Sequence, residues 1–311
     1  MNPGLRTAFV LVGLALLFGG TACTSHTDSA GEVINCPVAG DQNPGIFGGQ
    51  KVHPDSWVGR RVVAILTKGA DGVELCTGSL IDRNIVLTAA HCVNKSEDAS
   101  VTKVVFTANP ICEIVSKGNR NVMRDATAIR IHKSYRVSKT EDLAMIRFDG
   151  VAPEGYQTVR LADKTLPLTS ATRILLAGYG VNSDYNDSAS NDPHDLKFTS
   201  VAPYSGAKQS KSLKQMNDSP SMYFDQTNGT GACAGDSGGP AFTRDEGGSF
   251  RVIGVASRTD PLDGQEFEKQ SDVTCHKGIV YTSVLYFRSW IETSFGELKN
   301  SDSAKAKAFD P

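Results

Sequence analysis

From residue 62 to residue 283 the chain is a succession of short apolar runs cut by turn residues, and this constrains its fold more than any other feature. The first group covers 62–67, 76–81, 84–92, 101–108, 128–132 and 143–148. A second group covers 173–178, 197–202, 221–225, 240–243, 250–257 and 278–283. Each run is short and rich in Val, Ile, Thr or Phe, which suits strands rather than helices. Thirty glycines among 311 residues supply the turns between them. Many short strands at regular intervals predict an all-β sandwich or barrel. Only the end has a helical period: Val284, Phe287, Ile291 and Phe295 fall on one helical face, giving a helix over 284–296. Residues 297–311 then read as a flexible tail.

The N-terminus does not belong to this pattern. Arg6 precedes an apolar run of eleven residues, 8–18, too short to cross a bilayer as a helix. Small residues follow, so 1–22 reads as a secretory signal peptide. Gly20-Thr21-Ala22-Cys23 resembles a bacterial lipobox, with Gly20 where Leu is usual. That resemblance implies lipid on Cys23 and anchorage to a bacterial cell envelope. Ordinary cleavage would instead leave Cys23 a spare thiol on a secreted protein. Residues 23–45, rich in Thr, Ser, Gly, Asp, Asn and Pro, read as a linker or pro-segment. A net charge of −2 gives no overall attraction to nucleic acid or anionic membrane.

There are seven cysteines, and setting Cys23 aside leaves six, enough for three disulfides in an oxidising compartment. His91-Cys92 and Cys275-His276 are adjacent pairs, but no C-x-x-C or H-x-x-x-H spacing accompanies them. No metal and no cofactor is therefore expected.

The stretch Gly235-Asp236-Ser237-Gly238-Gly239-Pro240 places a serine between an acid and two glycines. It can be a surface turn, or a loop that presents backbone amides to a ligand. A serine hydroxyl becomes a nucleophile only with a neighbouring base, itself oriented by an acid. Of six histidines, His26 lies in the linker, His53 and His194 sit in polar surroundings, His276 abuts a cysteine and His132 ends a run. His91 alone follows a buried-looking strand and stands beside a cysteine able to fix the corner.

Thr88-Ala89-Ala90-His91-Cys92 matches the TAAHC motif of the chymotrypsin/trypsin family of serine proteases, and Gly235 to Pro240 matches its GDSGGP. Asp142-Leu143-Ala144-Met145-Ile146 resembles the segment carrying that family's triad acid, and the order His91, Asp142, Ser237 is the family's order. The resemblance spans about 46–296. It implies two six-stranded antiparallel Greek-key β-barrels, about 46–165 and 166–283, with the active site between them and a C-terminal α-helix. It implies a His91–Asp142–Ser237 triad, an oxyanion hole from the amides of Gly235 and Ser237, and disulfides Cys76–Cys92 and Cys233–Cys275. Cys36 and Cys112 are then left for each other. His132-Lys133-Ser134-Tyr135 resembles a structural segment of the family, which makes His132 structural. Val255-Ala256-Ser257 resembles the segment whose serine bonds the triad acid. Asp236 would pair with the amino group freed by cleavage before Ile46.

Two departures bear on function. Gly45, not Arg or Lys, precedes Ile46, so a trypsin-like activator would not cut there. Six residues before Ser237, where trypsins carry Asp, stands Gly231. The pocket walls align with Ser257, Thr259 and Ile279, and the last two should narrow it. The reading is thus a monomeric, exported serine endopeptidase acting on protein or peptide substrates after small aliphatic residues, in the manner of elastases. The alternative is a catalytically silent protease-fold binding protein.

Overall fold

The structure is a computed structural model that describes residues 46, 48–70, 72–93, 98–135, 141–169, 172–181, 194–204, 206, 218–260, 275 and 278–307, with side chains to 300. The expected signal peptide, the linker, Cys23 and Cys36 lie outside the described residues.

Six strands close the first barrel: β2 (Val62–Gly69), β3 (Gly72–Asp82), β4 (Ile85–Thr88), β5 (Thr102–Val105), β6 (Met123–Ile131) and β7 (Ala144–Phe148). Their order around the barrel is β2-β3-β4-β7-β6-β5. Every residue of β4 and β7 is buried. Their inner faces fill the barrel, and their outer faces meet Phe242, Val252, Ile291 and Leu298 in one continuous core. Two-sided burial explains why these strands read as unbroken apolar runs rather than alternating ones.

The second barrel uses β9 (Ile174–Gly178), β10 (Lys197–Val201), β11 (Ser221–Asp225), β12 (Pro240–Arg244), β13 (Phe250–Asp260) and β14 (Gly278–Ser283). Their hydrogen-bonded order is β10-β9-β12-β13-β14-β11. The sheet curls until β11 meets the chain just past β10. Closure there is a bridge of Pro203 to Phe224, with Tyr204 N donating to Tyr223 O at 2.9 Å, instead of a full ladder. Numbered within each barrel, both follow the cyclic order first, second, third, sixth, fifth, fourth.

Three boundaries differ from the sequence reading. The short β1 (Gln50–Lys51) pairs with β10, so the described chain starts in the second sheet before building the first barrel. The two-residue β8 (Arg160–Leu161) runs parallel to β13, so the change of barrel precedes residue 166. Helix α1 runs Arg288–Lys307, not 284–296, so 297–307 is helical where a flexible tail was expected. The apolar stripe continues one turn to Leu298, which is fully buried, and Arg147 Nη1 donates to its carbonyl at 3.3 Å. Ion pairs of Glu297 with Arg130 and of Lys299 with Asp82, each at 3.0 Å, flank that turn. His132 packs edgewise on Phe287 and beside Trp290, its ring 5.2 and 5.0 Å from theirs, and burial holds its pKa below the ordinary histidine value.

Candidate active site

The register of the first barrel brings the histidine and the aspartate together. β4 and β7 are antiparallel neighbours with Thr88 opposite Ala144. His91, three residues past Thr88, and Asp142, two before Ala144, therefore emerge at the same end of the barrel. The Cys76–Cys92 disulfide, Cα atoms 6.1 Å apart, ties the turn after β4 back to β3. His91 Nδ1 lies 2.7 Å from Asp142 Oδ2, and the His91 amide donates to Asp142 Oδ1 at 3.0 Å. From the second barrel, Ser257 Oγ donates to Asp142 Oδ2 at 2.7 Å. Burial pushes the Asp142 carboxyl pKa up, but the bonds from His91 and Ser257 outweigh it and leave the value below the ordinary one. The remaining face of His91 is open, with about a third of its side chain exposed.

The loop carrying Ser237 is held on both sides. Gly238 N donates to Ala256 O and Ala256 N to Gly239 O, both at 2.8 Å, fixing the loop to β13. Thr77, next to Cys76 in the first barrel, fixes the other side: its amide donates to Ser237 O at 2.8 Å and its hydroxyl to Gly235 O at 3.0 Å. The same hydroxyl accepts from Tyr179 N at 3.1 Å, and Thr88 Oγ1 donates to Thr77 O at 2.9 Å. The Cys92 sulfur lies 3.6 Å from Ser237 O, which brings the serine loop against the histidine corner. Gly235 has φ +94°, where an L side chain is strained. Among the described residues the amides of Gly235 and Ser237 find no acceptor, whereas those of Asp236, Gly238 and Gly239 all do.

Behind the loop, Asp236 is buried, and its two oxygens accept from Gly180 N and Cys233 N, both at 2.7 Å. Ile46 is fully buried in the core of the second barrel with Leu176, Ala232 and Tyr281, and its φ is +36°. Cys233 is bonded to Cys275, Cα atoms 5.2 Å apart. Cys112 is also disulfide-bonded, while its expected partner Cys36 lies outside the described residues. Cys76, His91 and Cys92 form a compact cluster of metal-type donors, but both sulfurs are consumed in the disulfide and offer no thiolate.

A cavity of about 220 Å³ opens beside Ser237, lined by Ala232, Cys233, Ser257, Arg258, Thr259 and Ile279 among others. Thr259 and Ile279 face each other across β13 and β14. Gly231 does not reach the lining, because Gln226 lies against it. The fully buried Gln226 amide donates to Ala232 O at 3.1 Å and to Cys275 O at 2.8 Å, and accepts from Ala232 N at 2.5 Å. A Cβ on Gly231 would sit 2.1 Å from Gln226 Oε1. Neither Gln226 nor Thr77 stands out in the sequence: Gln226 sits in a polar turn, and Thr77 is an ordinary strand residue between Cys76 and Gly78.

The trypsin family model matches residues 46–291. The chain belongs to the trypsin family. Brachyurin of Leptuca pugilator is 29% identical over 257 residues, 81% of this chain and 99% of its own length. Serine protease SSP1 of Scolopendra subspinipes is 27% identical over 293 residues, 90% of this chain and 92% of that one. Transmembrane protease serine 11G of Rattus norvegicus is 24% identical over 233 residues, 72% of this chain but 50% of its own length. The chain thus spans about half the length of that relative. Residues 46–291 form a trypsin-like serine protease domain.

Proposed function

We propose that this chain is an active serine endopeptidase. The observation that carries the reading is the placement of Asp142, which receives His91 from one barrel and Ser257 from the other, beside a serine loop with two unengaged amides. Ser237 Oγ attacks the peptide carbonyl while His91 takes its proton, and Asp142 orients the ring and stabilises the imidazolium. The carbonyl oxygen, now anionic, is received by the amides of Gly235 and Ser237. One such donor typically contributes about 2.7–4 kcal/mol at the transition state. His91 then passes its proton to the leaving amine, and the acyl-enzyme ester forms. Water, deprotonated by the same histidine, hydrolyses that ester and restores Ser237.

The cavity beside Ser237 supports a preference for small aliphatic residues. It is walled by Thr259 and Ile279, and the uncharged Gln226 packs against Gly231 behind the lining residue Ala232. Among the described residues the one carboxylate in the cavity lining, that of Asp236, already accepts from the Gly180 and Cys233 amides, which leaves it a poor partner for a Lys or Arg side chain. Cleavage before Ile46 is part of the same reading. A positive φ is costly for a β-branched residue, and cutting the preceding bond removes that constraint and frees an amino group on the buried Ile46, for which Asp236 is the partner the family resemblance implies. Gly45 calls for an activating protease that accepts glycine there. Export rests on residues 1–22, and lipid on Cys23 in a bacterial envelope rests on Gly20 to Cys23 alone; the relatives named above are animal proteins.

The test uses the processed chain. It should hydrolyse peptides with Ala or Val at the cleaved position faster than those with Lys, and a serine-directed phosphonate should add one adduct, on Ser237. Absence of both turnover and labelling after cleavage before Ile46 would refute it and leave the silent binding protein.

A further inference from the structure

On the first barrel, away from Ser237, lies an apolar groove of about 610 Å³. Leu66, Val73, Leu75, Ile111, Val115 and Met123 form its floor and rim. Val73 and Val115 are 64% and 49% exposed, a large apolar presentation for two residues of one groove. The lysine and arginine residues of the lining are Lys68, Lys103 and Arg120, and among the described residues no acid lines the groove. Lys103 is paired with Asp125, but Lys68 and Arg120 have no acidic partner among the described residues.

Cys112 is buried just behind this lining, flanked in the chain by the lining residues Ile111 and Ile114, and is disulfide-bonded. Cys76, Cys92, Cys233 and Cys275 are paired among themselves, and the chain has only two further cysteines, Cys23 and Cys36. Either one links the groove covalently to the segment that precedes Ile46. That segment matches the groove in character. Between Arg6 and Lys51 it has no Lys or Arg, and it carries Asp28, Glu32 and Asp41 around the apolar Val33, Ile34 and Val38.

We propose that residues 32–38 of this chain dock in the groove, with Val33, Ile34 and Val38 on its apolar floor and Glu32 toward Lys68 and Arg120. The ten residues from Cys36 to Ile46 reach roughly 33–36 Å when extended, enough to leave the barrel surface and enter the second core. A segment held both by a disulfide and by docking stays on the enzyme after cleavage before Ile46. The groove is then filled by the chain's own pro-segment. The inference stands whether or not Ser237 turns over substrate.

Hydrogen exchange on the full chain lacking residues 1–22 tests it. Amides within 32–38 should exchange at least tenfold more slowly than in a free peptide of the same residues. Ile34→Asp, which leaves the barrel untouched, should return them to free-peptide rates, and Lys68→Glu with Arg120→Glu should speed them in a salt-dependent way. Peptide mapping must show the Cys112 disulfide intact in each sample. Free-peptide rates in the parent chain with that disulfide intact would overturn docking and leave a tether alone. A concentration-dependent dimer that Val115→Arg dissolves would also overturn it, by making a second copy the occupant. Phosphonate labelling of Ser237 in the same samples reports on the protease reading separately.

Discussion

Replacing Gly231 by alanine should be severe in the parent chain and mild once Gln226 has been cut back. The new Cβ would meet Gln226 Oε1 at 2.1 Å and Cδ at 2.2 Å, in a place where nothing is exposed to give way. Overpacking of this kind costs about 1–3 kcal/mol. Gln226→Ala alone breaks three hydrogen bonds and leaves Ala232 N, Ala232 O and Cys275 O buried. At about 1–3 kcal/mol per stranded group, less what water recovers in the vacated space, we expect about 3–5 kcal/mol. In the double variant the methyl enters space the glutamine has left, so it should cost little more than Gln226→Ala. The coupling is then about 1–3 kcal/mol in the favourable direction. Urea unfolding, with Ser237→Ala in every sample to prevent self-digestion, measures all four corners of the cycle. Additivity within about 0.5 kcal/mol would refute the account of the pocket floor. The same geometry predicts that Gly231→Asp alone does not confer cleavage after Lys or Arg. Gln226 must be shortened in the same chain, and kcat/KM on Lys against Ala peptides reads the result.

Ser257→Ala removes the bond from the second barrel to Asp142, and kcat/KM should fall roughly tenfold if about 1.4 kcal/mol of that charge-assisted bond acts in the transition state. Asp142 is held below its ordinary pKa, so its stabilisation is complete above the unfolded carboxyl value near 3.9 and disappears as pH falls through the lower folded value. In Ser257→Ala the folded value moves up toward the unfolded one, so the loss should be smaller and complete at higher pH, which Tm measured against pH will show. Leu298→Ala should destabilise by about 2–5 kcal/mol, and ending the chain at residue 296 by at least as much, since Arg147 then loses its carbonyl acceptor; thermal unfolding checks both. Removing the Cys76–Cys92 bond, with a separation of 16, should cost about 3 kcal/mol and lower kcat more than KM, because the His91 corner loosens.

The sequence carried the strands well, because short β-branched runs between turns have few other readings. It carried His91, Asp142 and Ser237 because motif residues mark them. It did not reveal that both barrels share one strand order, since that order lives in pairings between distant strands and no residue pattern repeats with it. The extension of α1 was hidden because Leu298 is the one large apolar residue in 297–307, and it is held by Arg147 and by ion pairs made across the fold. Gln226 was hidden for a related reason. A glutamine in a turn reads as solvated, and only the carbonyls of Ala232 and Cys275 make it a buried strut.

Thr77 carries a further consequence. Through one residue of β3 the first barrel holds the carbonyls of Gly235 and Ser237 and the amide of Tyr179, all of which belong to the second half of the chain. Any hinge motion that parted the two barrels would have to tear the nucleophile's own backbone from its mooring. A clamshell opening would therefore disrupt the serine loop, whereas the cavity beside Ser237 is open with the barrels together. The same seam makes the halves poor candidates for exchange with those of a relative: a hybrid would inherit both barrels and still lack a registered centre unless Thr77 and the loop it grips were carried over together.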